Sequence, residues 1–206
     1  SDDLETKRTS FPRFYFLSDD ELLSILGTSD PTSVQEHMLK LFDNTAALKF
    51  DRSGGKVLGM LASEKEGFDF DAMQPTEGAV EVWLLTVEEE MMHTLNKLHK
   101  EGTFYYAESD RIEWIGRSLG MVVNTGAQIW WTWECEDTFN RVRLGGKGAM
   151  KHFAKKCSDQ LDRLIQEVQT VSERVMTKKI NTLIIIDLHS RDIVDPFVRD
   201  SILDAR

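Results

Sequence analysis

The chain is poor in the residues that pin down small, cross-linked or turn-rich folds. It has two cysteines in 206 residues, Cys135 and Cys157, in no C-x-x-C pair. That excludes a disulfide framework, and the cysteine usage suits a reducing, intracellular compartment. Four prolines and 13 glycines are too few for a turn-rich all-β sandwich and favour long helices. There is no N-x-[ST] sequon and no apolar run near the ~20 residues of a membrane span. No signal peptide opens the chain, which starts Ser1-Asp2-Asp3, and the lack of an initial Met reads as a piece of a longer chain. Positive charge is in deficit: 25 Lys+Arg stand against 35 Asp+Glu, a net charge of −10. Nucleic acid is therefore not expected as a partner, since phosphate binding needs a basic surface. The 41% hydrophobic and 29% charged residues are those of an ordinary globular chain.

What is present is mainly helical patterning. Pro12 holds Phe11 out of helix, so Phe11–Phe16 is expected to be extended. Ser18 followed by Glu21 forms a capping box for a short helix that stops at Gly27. Asp30 and Pro31 open a second, with Val34, Met38, Leu41 and Phe42 on one face. Short apolar runs at Ala47–Phe50, Val57–Leu61 and Phe68–Phe70, split by Gly-rich turns, predict a small β-hairpin or meander. Val80, Trp83, Leu84, Val87, Met91, Leu95 and Leu98 then form a helical stripe ending near Gly102. A further helix is expected over 109–134, roughly 39 Å at 1.5 Å per residue. After Gly145-Gly146 and Gly148, a heptad seam runs through Met150, Ala154, Cys157, Leu161, Leu164, Val168, Val171 and Val175. Asp159 and Arg163 are placed to pair at i,i+4. Leu183–Ile186 is a buried run, and a weak helix signal follows. The fold class is mostly α: an elongated helical bundle of long antiparallel helices with one small β-hairpin or meander. The expected divisions are 1–45, 46–76 and 77–206.

Few motifs suggest chemistry. Gly116-Arg117-Ser118-Leu119-Gly120 matches G-x-S-x-G, and Asp159 and His189 could complete a Ser…Asp…His order. A nucleophile elbow needs a preceding strand, and here the pattern sits in a helical stripe. The helix-interior reading is preferred, and a Ser118 hydrolase is kept as the alternative. Gly145-Gly146-Lys147-Gly148 lacks the hydroxyl residue of a Walker A loop and reads as a flexible connection. His37, His93, His99, His152 and His189 form no ligand set and are expected at surface or structural positions. Glu88–Glu90 and Asp19–Glu21 read as solvated faces or helix-dipole partners. No catalytic, cofactor or metal residue is assigned. Trp130 and Trp133 are expected in the core, with Trp131 at a second interface. From Arg141 to Lys179, ten basic residues stand against four acidic ones, +6 against −16 in the remainder. Such a face suits an acidic protein surface or is simply solvated.

Four stretches point to a family. They are Phe11-Pro12-Arg13-Phe14-Tyr15-Phe16-Leu17-Ser18-Asp19-Asp20-Glu21-Leu22-Leu23, Gly78–Leu84, Gln128–Glu134 and Ile185–Val194. In this order they resemble the linker of dynein heavy chains, and the last two resemble axonemal dyneins most. The Trp-Trp-Thr-Trp form and Asp195–Arg206 lean toward an inner-arm type. The resemblance implies a ring-proximal part of a helical linker that lies across a ring of six ATPase modules. Its bending and straightening would be the power stroke. It implies no catalysis and no cofactor in this segment, with ATP and Mg in the parent ring. Implied partners are that ring, indirectly the tail and other dynein subunits, and the microtubule through the parent, with no nucleic acid or membrane. The implied place is the cytoskeleton of the cytoplasm, in the axoneme of a cilium or flagellum. Ser53–Gly55 and Gly67–Gly78 are expected to be mobile, and the basic stretch (Lys155 and Lys156 in it) or Trp131 to dock on the ring. A helical scaffold unrelated to a motor is the third reading.

Overall fold

The computed structural model describes residues 2–203, with side chains through residue 200. The expectation for Asp195–Arg206 therefore falls partly outside the described residues. Two compact units divide the chain, Ser1–Lys97 and Leu98–Arg206.

In the first unit, helix α1 (Asp2–Ser10) leads into Phe11, which is extended as Pro12 requires. Pro12–Phe16 then winds into a 3-10 turn, a departure from the extended expectation. Arg8 accounts for part of it, because its guanidinium donates to the carbonyls of Phe14 and Leu17 and draws the segment into a tight turn. Helix α2 (Asp19–Leu26) starts at the expected capping box: Glu21 N donates to Ser18 Oγ, and Ser18 N donates to Glu21 Oε2. Asp30 caps the next element, which is 3-10 over Pro31–His37 before α3 (Met38–Leu41). Val34, Met38, Leu41 and Phe42 are buried. Phe11 and Phe14 meet edge to face at 4.9 Å in the same core. Each such side chain contributes about 1.5–3 kcal/mol by leaving water.

Strands β1 (Thr45–Phe50), β2 (Lys56–Ala62) and β3 (Gly67–Pro75) form an antiparallel meander in the order β1-β2-β3. Gln35 clamps it to the 3-10 segment by exchanging two hydrogen bonds with the Leu48 backbone. At the β2–β3 irregularity, a Cβ on Gly59 would lie 2.2 Å from the Phe68 carbonyl oxygen. Gly59→Ala is expected to destabilise by ~1–3 kcal/mol, as overpacking does, read as a lower urea midpoint at unchanged slope.

Glu21 also pairs with Lys40. The Lys40 ammonium, with the Ser18 N–H, brings the Glu21 carboxyl down to about 2 from its ordinary 4.5. A depressed folded pKa means stability present above pH 4.5 and lost as pH falls toward 2. Lys40→Met should flatten that part of the stability–pH curve, measured by urea unfolding across that range.

Helix α4 (Val80–Glu108) holds Trp83, Leu84, Val87 and Met91 in the first core. It runs through Gly102 instead of stopping there. In the second unit a Cβ at Gly102 would lie 2.3 Å from Val122 Cγ1, so this glycine is a packing notch and not a stop signal.

The long helix expected over 109–134 is two helices, α5 (Arg111–Arg117) and α6 (Gly120–Arg143). Helices α7 (Ala149–Thr170) and α8 (Arg174–Leu203) follow. The heptad seam is realised at Met150, Cys157, Leu161 and Leu164, with Phe153 added. It ends as a helix at Thr170. Val171 is extended (φ −77°, ψ 128°), and Val175 belongs to α8. Leu164 packs with Ile180 and Leu183, whereas Met150 and Phe153 pack with Val194, so α7 and α8 run antiparallel. Among the described residues the fold is mostly helical with one three-stranded antiparallel sheet.

Candidate functional site

Ser118 lies at the end of α5, with φ −101° and ψ 150°, and no strand leads into it. Its place at a helix break differs from the helix-interior expectation. The break is tied from a distance: Lys179 Nζ donates to the Ser118 carbonyl at 2.7 Å. His189 lies ten residues further along α8, about 15 Å at 1.5 Å per residue. Asp159 pairs with Lys155 at 2.7 Å. Among the described residues, no hydrogen bond joins Ser118, Asp159 and His189. The elbow geometry is absent, and the hydrolase alternative loses its basis.

Gly145 and Gly148 take positive φ (+91° and +80°) in the α6–α7 connection, so the Gly-rich run is the interhelix loop its composition suggests. His37 is buried and His93 faces Asp71 at 3.7 Å. Among the described residues no group of His, Cys, Asp and Glu could hold a metal ion, and no helix is long and apolar enough to cross a membrane. Cys135 and Cys157 are free thiols, and burial pushes the Cys157 thiol up to about 11.

What the second unit does contain is a set of long-range polar ties. Arg111 of α5 forks onto Asp187 of α8 at 2.7 and 2.9 Å, and both side chains are nearly buried. Burial works to lower the Arg111 pKa, but the Asp187 carboxylate outweighs it and the net is raised. Arg163 of α7 forks onto Asp110, the N-cap of α5, at 2.5 and 2.8 Å. This replaces the expected Asp159–Arg163 pair. A carboxylate that presents both oxygens in the plane of a guanidinium is a better partner than a flexible i,i+4 neighbour. Lys156 pairs with Glu134 of α6, and Arg141 with Asp137. Much of the basic 141–179 stretch is thus spent inside its own unit.

Trp114 sits at the centre of this unit, 1% exposed. Its Nε1 donates to the Gly102 carbonyl at 2.7 Å, and its ring lies against Gly126, where a Cβ would approach it to 2.9 Å. The Trp-Trp-Thr-Trp expectation is reversed in part. Trp133 is 56% exposed, while Trp131 packs against the Met150–Phe153–Cys157 cluster. Trp130 is half-buried, stacks on Tyr106 and donates to the Thr103 carbonyl. Trp131 therefore does not offer an exposed docking face. Its backbone sits one position, about 100°, off the Trp130 direction, and in this bundle that direction is inward.

The expected mobile segments are well tied. Asp51 accepts from Ser53 and from Lys56 N, and Thr76 donates to the Gly54 carbonyl. Gly67–Gly78 is mostly β3. The acidic runs are partly engaged as well: Arg13 reaches Glu88 at 2.5 Å, and Ala72 N donates to Glu90. The sequence carried no signal for Arg111–Asp187 or Arg163–Asp110, whose partners lie 76 and 53 residues apart.

The family described as Dynein heavy chain, N-terminal region 2, matches residues 1–102. The Dynein-1-alpha heavy chain of the flagellar inner arm I1 complex of Chlamydomonas reinhardtii is 61% identical over 170 residues, 82% of this chain and 4% of that protein. Human Dynein axonemal heavy chain 10 is 47% identical over 210 residues, 100% of this chain and 5% of that protein. The ciliary Dynein beta chain of Tripneustes gratilla is 38% identical over 209 residues, 98% of this chain. The chain thus spans 4–5% of the length of these relatives.

Proposed function

We propose, from the premise that this chain belongs to the axonemal dynein heavy chains as a segment of their N-terminal region 2, that it is a non-catalytic lever of a microtubule motor. The observation that carries this reading is identity along its whole length to axonemal heavy chains. The parent supplies ATP and Mg chemistry in a ring of ATPase modules, and this segment converts the resulting changes into bending and straightening. Its place is the axoneme of a cilium or flagellum, in an inner-arm type of motor. Its partners are the ring of the same heavy chain and, through the parent, the tail, other subunits and the microtubule.

The physical support is stiffness. Helices α6, α7 and α8 are packed along apolar seams, and guanidinium–carboxylate forks pin α7 and α8 to α5 and its cap, so the second unit resists internal deformation under load. A force-bearing part needs that property, and it needs no reactive side chains.

The test exchanges this segment for a Gly/Ser chain of equal length in the parent heavy chain. ATP turnover is expected to persist, and microtubule gliding speed to fall at least tenfold. Unchanged gliding would defeat the reading, as would ATP hydrolysis by the isolated 206-residue chain.

A further inference from the structure

The chain's charge is divided as sharply as its fold. Ser1–Lys97 holds 19 Asp+Glu against 9 Lys+Arg, the entire net −10, while Leu98–Arg206 holds 16 of each. The acidic unit has a cleft of about 440 Å³, a size that accommodates a side chain with part of its backbone. Lys7, Asp30, Ser33, Thr76, Glu81 and Trp83 are among its lining residues.

Glu81 is the unusual member. Its side chain is only 9% exposed, and Lys7 donates to Oε1. Oε2 is buried with no hydrogen-bond partner. A buried carboxylate oxygen without a donor is costly, and a donor supplied from outside would recover that cost. Glu81 also lies in the first turn of α4, at the N-terminal end of that helix. Lys7 is a third exposed, so solvent screens much of its charge. Asp30 adds a second carboxylate to the lining.

We propose that this cleft is a docking site for a polypeptide segment that inserts an Arg or Lys side chain against Glu81. The inserted cation donates to Oε2, and the hydroxyls of Ser33 and Thr76 and the ring of Trp83 receive the flanking backbone and stem. The overall −10 of the unit draws basic segments toward the cleft and repels acidic ones. The proposal does not depend on motor action and is tested without ATP or microtubules.

The experiment titrates the 15N-labelled 206-residue chain with an acetylated, amidated Gly-Ser-Arg-Ser-Gly peptide. Citrulline and Glu versions and free arginine amide serve as comparison probes. Saturable shifts are expected at residues 28–33 and 76–83 with the Arg peptide, and none with the citrulline or Glu peptides. Glu81→Gln should weaken binding at least tenfold. Lys7→Met, which removes the competing cation but keeps the stem, should tighten it severalfold. The opposite signs separate docking from a structural role, which would make both variants weaken binding alike; circular dichroism checks that both stay folded. Equal binding of the citrulline peptide, weaker binding by Lys7→Met, or no shift at millimolar peptide would overturn the proposal. Arginine amide binding as tightly as the peptide would overturn the assignment to a polypeptide.

Discussion

Trp114→Ala is expected to destabilise the second unit by ~3–5 kcal/mol, the range for deleting a large buried aromatic. The physical argument has three parts. The ring is 1% exposed and sits in one cluster with Ile115, Val123, Leu164, Ile180 and Leu183, so its removal opens a cavity among four helices. Tyr106 loses its edge-to-face contact at 4.9 Å. The Gly102 carbonyl loses the indole donor. Gly126, which admits the ring, cannot fill the space, because it carries no side chain. Trp114→Phe should recover part of the loss by keeping much of the volume without the N–H. Urea unfolding followed by near-ultraviolet circular dichroism reads both variants. A Trp114→Ala loss under about 0.5 kcal/mol, the range of surface changes, would mean that the ring is not the keystone of this core.

Asp187→Ala is the other large effect, at about 3–5 kcal/mol, because it leaves the nearly buried Arg111 without a counter-charge. The pair itself need not be strongly stabilising, since both groups lose water to form it. The decisive comparison is therefore the double variant Arg111→Met with Asp187→Leu. It removes both charges at similar volume and should lie within ~1–2 kcal/mol of the unaltered chain. If the double variant were as unstable as Asp187→Ala alone, the fork would contribute far more than charge compensation. Under the proposed lever reading, the single variant in the parent heavy chain should also slow gliding more than it slows ATP turnover, because the fork between α5 and α8 would be lost.

Several elements were legible because their causes are local. Ser18 and Glu21 cap α2 through bonds that span three residues, so four letters suffice to see them. The meander follows from short apolar runs between turn residues. Met150, Cys157, Leu161 and Leu164 show their burial through a repeat of three and four, which reports the pitch of the helix itself. The family resemblance was legible too, in the Phe-Pro-Arg-Phe-Tyr-Phe stretch, and residues 1–102 match that family.

Other features depend on residues far apart in the chain. Gly102 looks like a stop in one dimension, but its lack of a side chain serves the approach of Val122. The α5–α6 break at Ser118 has Lys179, 61 residues away, as the donor to its carbonyl. Arg163 had a local acid four residues away and took Asp110 instead, since a fork to a helix cap satisfies both oxygens. Trp133 stayed outside the core it was expected to join because helical spacing says which residues share a face, not which face a bundle covers.

The sequence by itself determined the mostly helical class, the acidic balance, the absence of a disulfide framework and the kinship with dynein heavy chains. Composition, periodicity and local capping set these before any two distant segments meet. Tertiary structure alone decided where the long helices break, which charges are neutralised and which aromatic is buried. It also decided that all the net negative charge sits on one unit, beside a cleft holding a half-paired Glu81. Those outcomes are competitions between alternative partners, and a competition is settled by the distances and dielectric that only the folded chain creates.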